Sequence, residues 1–395
     1  MSVLFHPLRV RAVEPDTAEA VIVSFDVPPS LREAFGFTQG QYLTLRKTID
    51  GVDLRRSYSI CAGVDDGELR VGVRKVNGGV FSNWINAHLQ PGDSVSVMAP
   101  QGRFFVPIDP AAQRHHVGIA GGSGITPILS IMKTVLAREP HSRFTLVYGN
   151  RSLRSTMFKE EIEDLKNRYM TRLVLQHVFS DEHTGPDDPH VASLLPPEGA
   201  ESGLGAARRP DSPLNMGLMN RDKIAELLAT VLPAASIAHA YICGPFQMND
   251  EAEAALLAAG VPEDRIHIER FGVAAAVTGS SGQPTGQTVG AVVHEARPGD
   301  AEQARIVIIR DGLRREIDFS RDQPSILDAA SAAGLEVPFS CTSGVCGTCR
   351  AKVLEGDVRM ERNFALSKDE VAAGFVLTCQ AHPMTPQVVL SFDDR

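Results

Sequence analysis

A chain of 395 residues, 43% hydrophobic and 22% charged, carries enough apolar material for two or three domains that each bury their own core, and three are expected. Its formal net charge of −9 and the lack of any apolar run near the length of a membrane span argue against a nucleic-acid binder or a membrane-spanning protein. Residues 1–9 show neither the basic start nor the long apolar core of a secretion signal, so a cytoplasmic protein is expected.

Residues 1–108 are expected to form a small antiparallel β-barrel. Segments 8–13, 20–25, 42–45 and 69–73 alternate apolar and polar residues between Gly, Pro and Asp turns. Among them, Arg55-Arg56-Ser57-Tyr58-Ser59-Ile60 reads as a strand. Residues two apart share a face, which sets the Arg56 cation beside the Tyr58 ring. Gly78 and Gly79 then lead to Ser82 at the start of a short amphipathic helix running to His88, and free N–H groups at such a start suit a diphosphate. Taken alone, the strand motif also reads as ordinary surface and the glycine pair as a simple turn.

From 109 to 272 the period changes to that of an α/β doubly wound parallel sheet. Segment 116–120 is a buried strand, Gly121-Gly122-Ser123-Gly124-Ile125-Thr126-Pro127 a glycine-rich turn, and 128–136 an apolar-faced helix opened by Pro127. Further strands are expected at 144–149, 173–179 and 240–245, with ligands at their carboxyl ends. The turn reads G-x-G-x-x-P, so the common dinucleotide fingerprint is not met. The second strand ends in Asn150-Arg151-Ser152, with no carboxylate for a ribose hydroxyl; an Arg and a hydroxyl there favour a 2′-phosphate, hence NADPH over NADH.

Residues 181–220, rich in Pro, Gly, Asp and Ser, are expected to be a mobile insert, and 273–290 an interdomain linker. In the third domain, 291–395, strands at 306–309 and 315–319 pair and a helix at 325–333 is stopped by Gly334. Then come Cys341, Cys346, Cys349 and, after 29 intervening residues, Cys379. The spacing C-x4-C-x2-C…C is that of a plant-type [2Fe-2S] site, and Gly344 and Gly347 supply the positive φ with which a loop turns its N–H groups toward the sulfurs. A zinc site or buried structural cysteines are the other readings; zinc favours paired C-x2-C knuckles, and only one such pair exists. Of the six cysteines, Cys61 and Cys243 remain, with no reason to pair. The 12 histidines show no i, i+4 pairs near carboxylates, so no mononuclear metal site is expected. The small residues Thr342, Ser343, Gly344, Gly347 and Thr348 are expected to give an uncluttered surface to an electron acceptor.

Arg55 to Cys61, Gly124-Ile125-Thr126-Pro127, Val147 to Ser152, Ile242-Cys243-Gly244-Pro245, Ile268-Glu269-Arg270-Phe271 and Val376 to Ala381 together resemble the ferredoxin-NADP reductase family with a C-terminal plant-type ferredoxin domain. The narrower likeness is to reductase subunits of bacterial phenylacetyl-CoA epoxidases, from which the long insert departs. The resemblance implies a β-barrel holding FAD, an α/β domain holding NADPH and an α+β β-grasp ferredoxin domain. It implies that Arg56 binds the flavin diphosphate with Ser82 and Gly79, that Tyr58 stacks on the isoalloxazine and that Ser59 approaches N5, with Val73 and Lys75 also in the flavin site. It puts Gly124, Thr126 and Pro127 at the nicotinamide nucleotide, Arg151 and Ser152 at the 2′-phosphate, and Cys243, Gly244, Pro245 and Phe271 near the nicotinamide; Tyr58, Ser59 and Cys243 would flank the reacting rings. Cys243 also reads as a buried core cysteine, and Cys61 reads as core.

A hydride carries two electrons and an iron-sulfur centre takes one, so a flavin between them completes the route. The linker would let the ferredoxin domain meet first the flavin and then, transiently, an oxygenase component: the phenylacetyl-CoA epoxidase, another di-iron monooxygenase or a Rieske ring-hydroxylating dioxygenase. A flavin- and nucleotide-binding redox sensor without turnover is the alternative from another class.

Overall fold

The computed structural model describes residues 4–181, 213–271 and 296–394. The expected linker at 273–290 and most of the expected insert at 181–220 lie outside the described residues.

The first module alternates inward and outward residues along β1 (His6–Thr17), β2 (Ala20–Asp26), β3 (Tyr42–Ile49), β4 (Val52–Ser59), β5 (Leu69–Arg74) and β6 (Ser94–Val97). All pairings are antiparallel in the order β4-β3-β6-β1-β2-β5, and an Ile60–Val71 bridge brings the two outer strands together. Leu8, Leu43, Leu45, Val71, Val73 and Val97 fill the interior. Strand β6, only four residues long, is too short for its alternation to have registered in the sequence. Asp50 and Gly51 join β3 to β4 with φ of 50° and 79°, the left-handed pair that a tight two-residue hairpin needs. Helix α1 (Val80–His88) starts before Ser82, because Gly79 is its N-cap residue.

In the second module β7 (His115–Gly121), β8 (Arg143–Asn150), β9 (Leu173–Phe179), β10 (His239–Gly244) and β11 (Ile266–Arg270) form a wholly parallel sheet ordered β11-β10-β7-β8-β9. Helices α2 (Ile125–Arg138) and α3 (Lys159–Arg168) cover one face; α4 (Arg221–Thr230) and α5 (Phe246–Ala258) cover the other. The strand order reverses between β7 and β10, and the crevice at their carboxyl ends is where such sheets bind ligands. At the amino ends, His116 and His267 stack on Tyr241, and His239 stacks on His116; the buried Glu139 accepts from His116 Nε2.

The third module has a mixed sheet ordered β13-β12-β18-β14-β16, built from β12 (Gln303–Arg310), β13 (Leu313–Ser320), β14 (Arg350–Glu355), β16 (Phe375–Leu377) and β18 (Gln387–Ser391), with β12 and β18 parallel. Helix α6 (Ile326–Ala332) packs its apolar residues Ile326, Leu327, Ala329 and Ala330 into the core. Ser325 caps its start, accepting from Asp328 N, and Gly334 at φ 72° ends it. The short pair β15 (Val358–Met360) and β17 (Ala381–Pro383) and a one-turn helix, α7 (Lys368–Ala372), complete this β-grasp arrangement.

The third module rests on both others. Ser57 bonds Ser340 at 2.7 Å, Arg46 pairs with Glu336 at 3.0 Å, and Arg103 pairs with Glu370, all against the barrel. Lys368 reaches Glu263 at 2.8 Å and Phe364 meets Phe246 edge-on, both against the α/β module. Among the described residues no helix is long and apolar enough to cross a membrane.

Candidate active site

A cleft of about 500 Å³ opens at the carboxyl ends of β7, β8 and β10. Its floor is the Gly121–Gly124 turn. A Cβ on Gly124 would overlap the Cys243 carbonyl oxygen, which is why the turn can pack onto β10 only with glycine there. Thr126, buried, donates its hydroxyl to Ser123 O at 3.0 Å and so ties the start of α2 to the turn; Pro127 is buried beside it. Gly244, Pro245 and the 41%-exposed Phe271 form one wall. Arg151 enters from β8 with Asn150 and Ser180, and its side chain makes no ion pair among the described residues. Ser152 does not line the cleft; its side chain caps the short turn at Leu153–Ser155.

Two contributors leave no mark in the sequence. Arg74, on β5, lines the same cleft over Gly122, bringing a barrel cation to the glycine turn. Gly217, Leu218, Met219 and Asn220, the end of the segment expected to be a mobile insert, close its far side. No local pattern signals either.

Where barrel and α/β module meet, Ser59 donates to Glu269 Oε2 at 2.9 Å. Glu269 is the cross-strand partner of Cys243. Burial where the two modules meet raises the Glu269 carboxyl to about 8, and the Ser59 hydrogen bond only partly opposes this. The Cys243 thiol, fully buried, is held well above its ordinary range by desolvation first and by Glu269 second, so it stays protonated. Cys61 is a core residue whose thiol burial pushes up to about 12. Glu269 lies inside one of the family-like motifs, yet only the β10–β11 pairing reveals that it stands against Cys243 and Ser59.

On the barrel, Arg56 is exposed, and among the described residues its side chain's only hydrogen bond is to its neighbour's carbonyl, Arg55 O. Its charge is felt by Tyr58, whose half-buried ring lies 6.2 Å from Phe81. Helix α1 has no side-chain cap, which leaves its first-turn N–H groups suited to an anion. Ser82 turns inward, accepting from Val76 N at 3.1 Å. Val73 is buried in the barrel wall, and Lys75 is exposed and donates to Ala18 O. An exposed guanidinium, a partly open aromatic face and an uncapped helix start fit a flavin nucleotide.

The four cluster-motif cysteines converge as two pairs. Cys346 is hydrogen-bonded to Cys341 and Cys379 to Cys349, and these bonds, followed by burial, push the Cys346 and Cys379 thiols well above their ordinary range. Among the described residues no three His, Cys, Asp or Glu side chains converge as on one metal ion. Four soft sulfurs in two pairs fit two iron ions, which would displace the thiol protons. Gly344 and Gly347 have φ of 79° and 70°, and Ser343 and Thr348 aim N–H groups at Cys341 and Cys346 Sγ, at 3.5 and 3.4 Å. The expected open surface is not there: Ser343, Gly344 and Thr348 are buried and only Thr342 is exposed. Gln380 and Arg362 crowd Gly344, and Tyr42 of the barrel covers Thr348.

Residues 8–106 match the oxidoreductase FAD-binding domain, 119–192 the oxidoreductase NAD-binding domain and 308–384 the 2Fe-2S iron-sulfur cluster binding domain. The chain is 40% identical over 391 residues to a subunit of the 1,2-phenylacetyl-CoA epoxidase of Escherichia coli K12, covering 99% of this chain and 98% of that one. It is 31% identical over 388 residues to the ferredoxin reductase component of 3-ketosteroid-9-alpha-monooxygenase from Rhodococcus rhodochrous, covering 98% and 96%. Phthalate dioxygenase reductase shares the fold at a TM-score of 0.52 and 22% identity, with 98% of both chains covered. Three such modules in this order define an NAD(P)H oxidoreductase that uses FAD and a [2Fe-2S] cluster. The chain belongs to the ferredoxin-NADP reductase family, in its form with a C-terminal 2Fe-2S domain.

Proposed function

We propose that the chain draws electrons from NADPH and delivers them to an oxygenase, the di-iron epoxidase of phenylacetyl-CoA. The carrying observation is that one strand pair, β3–β4, touches both other modules: Ser59 bonds Glu269 of the α/β module, while Tyr42 and Ser57 reach the cluster loop. The 40% identity along the whole chain to the epoxidase component supports that particular acceptor.

FAD, when bound, would supply the step from the two-electron hydride of NADPH to the one-electron [2Fe-2S] cluster. For the flavin, Arg56 and the N–H groups of α1 would hold the diphosphate with Gly79 and Ser82, and Tyr58 would lie on the ring, near Val73 and Lys75. Ser59 and Glu269 form the pair that can hold or remove a proton at the reacting edge. Cys243, kept neutral, would offer a polarisable sulfur to the nicotinamide without a competing charge, beside Gly244, Pro245 and Phe271. Gly124, Thr126 and Pro127 shape the floor under the nucleotide, and Arg74 brings a charge suited to its pyrophosphate. Cys341, Cys346, Cys349 and Cys379 would ligate the cluster, two to each iron. We read the modules as 1–108, 109–272 and 291–395, joined at 273–290, and assign the protein to the cytoplasm, where NADPH is available.

Arg151 would hold the 2′-phosphate from the cleft, without Ser152, whose side chain is turned into its own cap at Leu153–Ser155. A charge-assisted bond of about 1.5–3 kcal/mol corresponds to roughly tenfold or more in kcat/KM. Arg151→Ala is therefore expected to erase most of the preference for NADPH over NADH in ferricyanide reduction. Equal use of both nucleotides by the unaltered protein would remove the assignment.

The acceptor is tested by mixing the purified protein with the catalytic subunits of a phenylacetyl-CoA epoxidase and following NADPH. Consumption that depends on phenylacetyl-CoA is the expected result. Residues 300–395 hold 15 Asp and Glu against 11 Lys and Arg, a mild acidity that suits a transient contact weakened by salt. Turnover only with a Rieske oxygenase would overturn the choice of acceptor and keep the reductase.

A further inference from the structure

Tyr42 stands at the boundary between barrel and cluster loop, a contact to which the proposed route assigns no role. Its side chain is 5% exposed. Its hydroxyl donates to the carbonyl oxygen of Cys346 at 2.6 Å and lies 2.8 Å from Thr348 Oγ1. Thr348 in turn donates its N–H to Cys346 Sγ. One phenol thus grips both ends of the Cys346-Gly347-Thr348 turn. The partner of Tyr42 across the β3–β4 ladder is Ser59, so the same position that borders the flavin's reacting edge also ends on a cluster ligand. On the other side of the loop Ser57 bonds Ser340, and the Arg55 guanidinium lies 4.0 Å from the Phe339 ring centroid.

We propose that Tyr42 is a positioning residue for electron transfer from flavin to cluster: it seats the loop on the barrel and, through Thr348, fixes the N–H···S bond to Cys346. The inference rests on the function proposed above. Separation governs the rate of electron tunnelling, and an N–H aimed at a ligand sulfur favours the more negative, reduced cluster. The electron lost by the flavin is the one gained by the cluster; Tyr42 gains and loses neither an electron nor a proton.

Tyr42→Phe keeps the ring and deletes the hydroxyl, Thr348→Val deletes its partner, and Thr348→Ser keeps that partner. Each holoprotein is assayed for iron content, for the EPR spectrum and midpoint potential of the cluster, and for cluster bleaching after rapid mixing with NADPH. Tyr42→Phe and Thr348→Val are expected to retain iron, shift the potential to more negative values, alter the EPR spectrum and slow bleaching tenfold or more, with Thr348→Ser close to the parent. If both variants match the parent in potential, spectrum and rate, the proposal is overturned. It is equally overturned if Tyr42→Phe sheds its iron while Thr348→Val behaves as the parent. A parent protein whose cluster NADPH never bleaches would instead defeat the functional reading itself.

Discussion

Cys346→Ser protein is expected to lose its iron, its cluster EPR signal and all oxygenase-coupled turnover, while keeping its flavin and its NADPH-ferricyanide activity. On the proposed ligation of two sulfurs to each iron, deleting one would leave an iron with a single thiolate and the site could not close. Ferricyanide can draw electrons from the flavin directly, and the residues around Ser59, Glu269 and Cys243 are untouched. Cys346 is the better choice over Cys379, whose sulfur sits in the core of the third module, where a hydroxyl would be buried. Iron and flavin analysis with both assays decides it; parallel loss of the two activities would mean the modules do not act separately.

Glu269→Gln is expected to slow flavin reduction by NADPH by roughly a hundredfold, the lower end of what a positioned acid-base group contributes. The amide can still accept from Ser59, so the change removes the proton and charge of the carboxyl while keeping the geometry. Stability supplies a second readout. With a folded pKa of about 8 against 4.5 unfolded, the native protein binds more protons than the unfolded chain between those values, so this carboxyl lowers stability as pH rises from 4.5 to 8. The variant should therefore become more stable relative to the parent as pH rises through that window, by on the order of a few kcal/mol at most, and level off above it. Tm measured for both proteins across the window reads the difference. A melting difference that stays flat from about pH 5 to 8 would show that the carboxyl is not held neutral.

Local signals carried much of the architecture. Period-2 runs gave away most barrel strands, the glycine turn and Pro127 marked the entry to α2, and the cysteine spacing with Gly344 and Gly347 described the cluster loop almost residue by residue. Those features are decided by neighbours in the chain. Glu269 is different: its importance comes from a parallel pairing with Cys243 and a bond to Ser59, 210 residues away, and nothing in Ile-Glu-Arg-Phe announces either. Arg74 likewise looks like the end of a barrel strand until the second module folds against it. The cluster loop shows the opposite error. Small residues suggested openness, but small residues are also what lets another module approach, and here the barrel does so through Tyr42 and Ser57.

The β3–β4 ladder has a consequence for how this protein can change. Tyr42, Thr44, Arg46, Arg55, Ser57 and Ser59 share one side of the ladder by pairing, while Arg56 and Tyr58 belong to the other. A single-residue insertion in β4 ahead of Arg55 would exchange the two sides of that strand at once, turning Arg56 and Tyr58 toward the ferredoxin module and Ser57 and Ser59 away from Ser340 and Glu269. The two redox centres are therefore mechanically geared: neither can be re-aimed by slipping this strand without disturbing the other. Their common setting lies at Asp50 and Gly51, a turn remote from both, and a lineage that altered its length would have to rebuild two sites in the same step.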